Sequence, residues 1–146
     1  MTDFFVEKFE LDYHSNELII RSIEEQEDHM QTVVTAVFSH IINMHHIWLA
    51  RLKNGKAESD AWDKLPIAYL SDLNRHNYLE TLQYIHELEN HTLKDKFPSD
   101  SSDFTLNSAD VLFHILQHSA YHRGQVIREL KVNKLAFPSM QWVPID

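Results

Sequence analysis

The chain has 146 residues, no cysteine, only two glycines, and 22 acidic against 13 basic residues, for a formal net charge of -9. That length makes one domain over 1–146 with a core of its own; the absent thiols exclude disulfides, thiolate metal sites and a cysteine nucleophile, and fit a reducing, cytoplasmic compartment. So few glycines cannot build a phosphate-cradling loop, and the acidic balance repels phosphate backbones and anionic lipid, so neither nucleic acid nor a membrane is expected as a partner.

No apolar run approaches the ~20 residues of a membrane span. The first residues, Met1 to Glu7, carry acids early and no basic segment, unlike a signal peptide. Apolar periodicity predicts a first helix over roughly Thr2–Glu27, with Phe5, Phe9, Ile19, Ile20 and Ile23 inward and Asn16 beside them. A second spans about Met30–Leu52, with Val33, Val37, Ile41, Met44 and Trp48 on one face and Gly55 as its expected C-cap. Residues 56–70 form a longer connection holding Trp62 and Pro66.

The third helix is expected from near Ser71 to near His91, burying Leu73, Tyr78, Leu82, Ile85 and Leu88. Residues 94–107, with Pro98 and a Ser/Asp run, read as a loop in which Phe104 to Leu106 form a short extended piece. Ser108 is the expected N-cap of a fourth helix running to about Lys131, with Asp110 in its first turn. The tail from Val132, with Pro138, Trp142 and Pro144, should wrap irregularly over the other elements. Four amphipathic helices make an all-α helix bundle, an architecture that builds metal and ligand sites from inward side chains on facing helices.

The chain holds 11 histidines. Histidine is the commonest metal ligand. On the fourth helix His114, His118 and His122 recur at a spacing of four, which stacks them on one face, so either His114 with His118 or His118 with His122 can chelate one ion. A third ligand must come from another helix. At about 100° per residue, His40 lies about 60° and His45 about 80° from the centre of the second helix's stripe, on opposite flanks, while His46 faces away. His40 is best placed, by a small margin over His45. Gln125, three residues past His122, is placed to hydrogen-bond a ligand or touch a substrate.

Other metal and catalytic patterns fail. His86-Glu87 begins a zinc-protease motif, but position 90 is Asn90 and His91 comes one residue late. No histidine has a glutamate three residues before it, as a ferritin-like di-iron site requires. The Gly-x-Ser-x-Gly elbow of hydrolases is absent.

The string His118-Ser-Ala-Tyr-His122-Arg123-Gly124-Gln125 resembles the HxxxHRGQ signature of the DinB-like helical-bundle proteins. The segment from His40 through Trp48 to Arg51 resembles that family's HI-x6-W-x2-R stretch, and Tyr13 to Asn16 matches its Tyr-x-x-Asn region more loosely. The resemblance implies an up-and-down four-helix bundle, a homodimer, and a divalent metal held by His40, His118 and His122. Zinc is the first choice, with nickel, copper, iron or manganese as further options; all-nitrogen ligation suits several of them. Relatives include S-transferases and an isomerase that depend on a low-molecular-weight thiol, and YfiT-like proteins regarded as metal hydrolases. The resemblance thus implies a small-molecule substrate and leaves the catalytic residues unassigned. Arg123 and Gln125 are the candidates to contact a cofactor or substrate; for Arg123 an ion pair with an acid on a neighbouring helix is the simpler role. Gly124 is expected to allow close packing between helices, and Trp48 and Trp62 to line either core or pocket.

Overall fold

The computed structural model describes residues 1–88, 97–98 and 105–143. Four helices make the frame: α1 (Thr2–Glu24), α2 (Thr32–Leu52), α3 (Leu70–Leu88) and α4 (Ser108–Val132). One two-residue antiparallel pairing, β1 (Phe97–Pro98) with β2 (Thr105–Leu106), precedes α4. The all-α bundle read from the sequence is the fold. The expected third-helix end near His91, the expected extended residue Phe104 and the tail residue Pro144 lie outside the described residues.

Helix ends follow local chemistry. α4 starts with a capping box in which Asn107, not Ser108, is the cap: the Asn107 side chain accepts from the Asp110 amide, and Asp110 accepts from the Asn107 amide. Ser108 is instead buried, and its hydroxyl accepts a hydrogen bond from Tyr84. At the end of α2 the left-handed residue is Asn54, φ 57°, rather than Gly55. The Gly55 amide reaches the Ala50 carbonyl at 2.8 Å and the Asn54 amide reaches Arg51, closing a Schellman turn in which asparagine tolerates the positive φ.

α1 lies on α3, α2 lies on α4, and the α2–α3 and α1–α4 seams close the ring, which sets α1 and α2 diagonally across the bundle. Partners along the seams give the directions. Ile42 meets Asn77 and His45 meets Thr81, so α2 and α3 run the same way. α1 and α3 run oppositely, with Tyr13 stacked on Tyr78 and Glu17 bonded to Ser71. The course is therefore up, down, down, up rather than strict alternation. The 19 residues of α3 rise about 28 Å at 1.5 Å each, so the α2–α3 connection must travel back along the bundle.

Two apolar clusters fill the ends. One gathers Ile19, Ile23, Val34, Phe38, Leu70 and Leu130; the other gathers Phe9, Leu49, Leu52, Ile85, Leu112 and Ile115. Between them lies a buried polar waist. Asn16 donates to Asn74 at 3.0 Å, Asn74 to Glu17 at 2.7 Å, Asn77 to the Ile42 carbonyl at 3.0 Å, and Thr81 to the Asn77 carbonyl at 2.7 Å. Burial without loss is possible because these groups find partners.

This waist rotates two helices from the expected stripes. On α3 the buried positions are Leu70, Asn74, Asn77, Thr81, Tyr84 and Ile85, so of the predicted stripe only Ile85 is fully inside. On α2 Val33 is 45% exposed while Val34, Phe38, Ile42 and Leu49 are buried, because the helix is covered by α3 on one side and α4 on the other. Contrary to the expectation that no apolar stretch is long enough, α2 is by length and composition apolar enough to cross a membrane; 56% of its most apolar window is buried inside the fold, as in the core helix of a bundle. The tail after α4 turns back over α1: the Ala136 carbonyl accepts from Ser22 and Gln26, and Leu135 and Met140 pack on the first cluster.

Candidate metal centre

His40 on α2 and His118 and His122 on α4 meet where these antiparallel helices cross the waist. Each offers one ring nitrogen, and the three nitrogens lie within 4.8 Å of one another, a group that could hold a metal ion. His40 is buried, and His118 and His122 are half-buried. The four-residue spacing on α4 stacks His118 and His122, ring centroids 4.4 Å apart, and aims both at α2.

Two of the rings have a fixed tautomer. His40 Nδ1–H donates to the Ala61 carbonyl at 2.8 Å, and His122 Nδ1–H donates to Gln125 Oε1 at 2.7 Å. That leaves each Nε2 with a free lone pair toward the cluster. His118 Nε2 stands 3.1 Å from His122 Nε2. Two lone pairs at that distance repel, so the approach is favourable only with a proton on His118 Nε2 or a cation shared by both nitrogens. The donor set therefore fits a small cation, and the hydrogen bonds to Nδ1 are the kind that orient histidine ligands.

Electrostatics point the same way. Burial pushes His118 down to about 4, with neighbouring His122, His40 and His114 adding to the effect. Burial also lowers His40; the Ala61 carbonyl opposes it and His122 reinforces it. Both rings are neutral near pH 7, the protonation state a metal requires of histidine.

The remaining sequence candidates separate cleanly. His45, five residues after His40, points away from α4; it is buried with its Nε2–H on Thr81 Oγ1 at 2.8 Å and its ring beside Phe9. His114 is exposed, its ring 5.8 Å from that of His118 and edge-on to Trp48. Arg123 donates to Asp12, to Asn16 at 3.0 Å and to Ser119 at 2.6 Å, so its polar contacts go to α1 and its own helix. Gly124 is exposed, and a Cβ there would meet nothing within 4 Å, so it is not a close-packing position. It lines an apolar groove of about 570 Å³ between α1 and α4, together with Phe4, Phe113 and Trp142, apart from the histidines.

The sequence singled out Trp62 for core or pocket but did not give its partner, nor the role of Ala61. The α2–α3 connection crosses the histidines: beside Ala61, Trp62 stacks on His40 with centroids 3.8 Å apart and planes 9° from parallel. Tyr121 flanks the other side, its ring 4.9 Å from His122. The signals in the sequence were Trp62 itself and the length of the connection, which is long enough to return across the waist.

The sequence model of the DinB family matches residues 21–132. No curated protein and no solved structure matches the chain.

Proposed function

The chain belongs to the DinB family, and from that premise we propose that it is a metal-dependent S-transferase that joins a low-molecular-weight thiol to a small electrophilic substrate. His40, His118 and His122 would hold one divalent ion, zinc by first choice. The observation that carries the reading is the convergence of these imidazoles from two helices, two of them with Nδ1 already committed. Three protein ligands leave a divalent ion an open position, whereas structural zinc is closed by four. When bound, the ion supplies Lewis acidity, which lowers the pKa of a thiol or water brought to it.

The chain's own groups do the rest. The Ala61 carbonyl and Gln125 hold the tautomers that expose Nε2 of His40 and His122. The low proton affinity of His118 and His40 keeps them available near neutral pH. The chain has no cysteine, so a reacting sulfur must come from outside. Trp62 and Tyr121, 62% and 66% exposed, offer apolar faces beside the histidines for the organic part of a substrate. A cytoplasmic homodimer completes the reading.

The test is elemental mass spectrometry on tag-free protein beside a His118→Ala, His122→Ala variant, followed by turnover assays with electrophiles and low-molecular-weight thiols. About one ion per chain in the parent, none in the variant, and turnover only with thiol is the expected result. Turnover without thiol would reassign the protein as a metal hydrolase of a small amide or ester. Metal without any turnover would make it a metal-stabilised binding protein. A parent that also refuses added zinc and nickel would end the metal reading.

A further inference from the structure

Trp62 is an exposed tryptophan on an irregular connection, yet it is held against one ring. The segment around it is pinned to α2 at three points. Leu65 N–H donates to Ser39 Oγ at 3.0 Å, Asn43 donates to the Asp63 carbonyl at 2.7 Å, and His40 donates to the Ala61 carbonyl at 2.8 Å. Ser39, His40 and Asn43 lie within one turn and a neighbouring residue of α2, so the connection is laid along that face of the helix. Pinned there, the indole covers the flat face of His40, with centroids 3.8 Å apart and planes 9° from parallel.

We propose that Trp62 is a positioning residue for His40. The bond from Nδ1 to Ala61 fixes one edge of the imidazole, and the stack fixes its plane. Together they remove rotation about the ring's axis and keep Nε2 aimed at His118 and His122, whose rings lie 5.0 and 4.7 Å away. A hydrogen bond alone would let the ring swing about the Nδ1–O line; a stack alone would let it spin in its plane. The inference deepens the metal reading and rests on it.

The test compares full-length parent, Trp62→Ala, Trp62→Phe and His40→Ala. Zinc affinity is measured by competition with a chromophoric chelator, and Co(II) is used as a visible-absorption probe of the ligand set. Loss of a group that orients a ligand weakens metal binding by roughly 10–100-fold. We expect a loss in that range for Trp62→Ala with an altered Co(II) spectrum, recovery of most of it in Trp62→Phe, and a larger loss for His40→Ala. The metal-free melting temperature of Trp62→Ala should stay at the parent value, because the side chain is largely exposed. Parent-like zinc affinity in Trp62→Ala overturns the proposal. So does a loss matched by an equal drop in metal-free melting temperature, the mark of a merely structural residue. A readout without metal keeps this separate from the metal reading: in ¹⁵N-labelled protein the His40 Nδ1–H should exchange with water faster in Trp62→Ala than in parent. Faster exchange in Trp62→Ala, beside a parent that takes no zinc, would sink the metal reading and keep the positioning role; equal exchange in the two proteins would sink the positioning role.

Discussion

His40 and His45 sit on the same helix, about 140° apart around its axis, and meet different chemistry. His40 faces two more imidazoles, whereas His45 faces a hydroxyl and a phenyl ring in the closed interior. Burial pushes His45 down to about 4; Asp12 pulls it upward and His46 adds to the lowering. The same group titrates near 6.5 once the chain unfolds. Between those values the unfolded chain binds a proton that the fold does not, so stability is intact above the upper value and is lost as pH falls toward the lower one. For His45 the loss should be on the order of 3 kcal/mol by pH 4. Urea unfolding of metal-free protein across pH 7 to 4.5 should show this decline beside those of His118 and His40, whose affinities burial also lowers, and His45→Gln, which can still donate to Thr81, should make it shallower. An identical slope in both proteins would remove His45 from the account. The sequence ranked His40 over His45 only narrowly, because a stripe drawn on one face cannot describe a helix covered on two sides.

Among the elements, the α1–α4 seam carries a buried ion pair. Asp12 is 4% exposed, and Arg123 reaches across from α4 to it and to Asn16. Removing one partner of a buried pair strands the other charge, at a cost of about 3–5 kcal/mol. Arg123→Ala should therefore unfold at clearly lower urea while metal-loaded, folded protein keeps its ion; Asp12→Asn in the same chain should recover part of the loss. Unchanged stability with weakened ligand binding would instead favour the cofactor contact that the sequence also allowed for Arg123. Helix count, order and approximate bounds were legible, since long apolar periods and capping residues are local signals. The waist was not. Asn74, Asn77 and Thr81 look like surface residues in a hydrophobic count, and only their partners across the bundle make their burial possible. The caps show the same limit on a smaller scale: Asn107 and Ser108 are adjacent cap formers, as are Asn54 and Gly55 for a left-handed turn, and the choice rests on where the rest of the helix is held.

For the whole molecule, direction matters more than helix count. Because α2 and α3 run the same way, the chain between them must cross the bundle, and it does so over the histidines, bringing Ala61 and Trp62 to His40. The spacing of His118 and His122 and the flank of His40 were readable, and the three do come together; the path of the covering connection was not, since nothing local encodes a crossover. An ion held at the waist would tie α2 to α4 between the two apolar clusters, and a ligand that binds only the fold raises its stability. At a free concentration of 100 times the dissociation constant the gain is about 2.7 kcal/mol, which for a chain of this size is roughly 5–10 °C in melting temperature. Melting followed by circular dichroism, with zinc and then with excess chelator, should show that shift in the parent and its reversal. His118→Ala, His122→Ala should keep the helical signal and lose the shift. An equal shift in both proteins would mean that zinc acts elsewhere, for instance on the acidic surface, and that the three histidines are not where the ion holds the helices together.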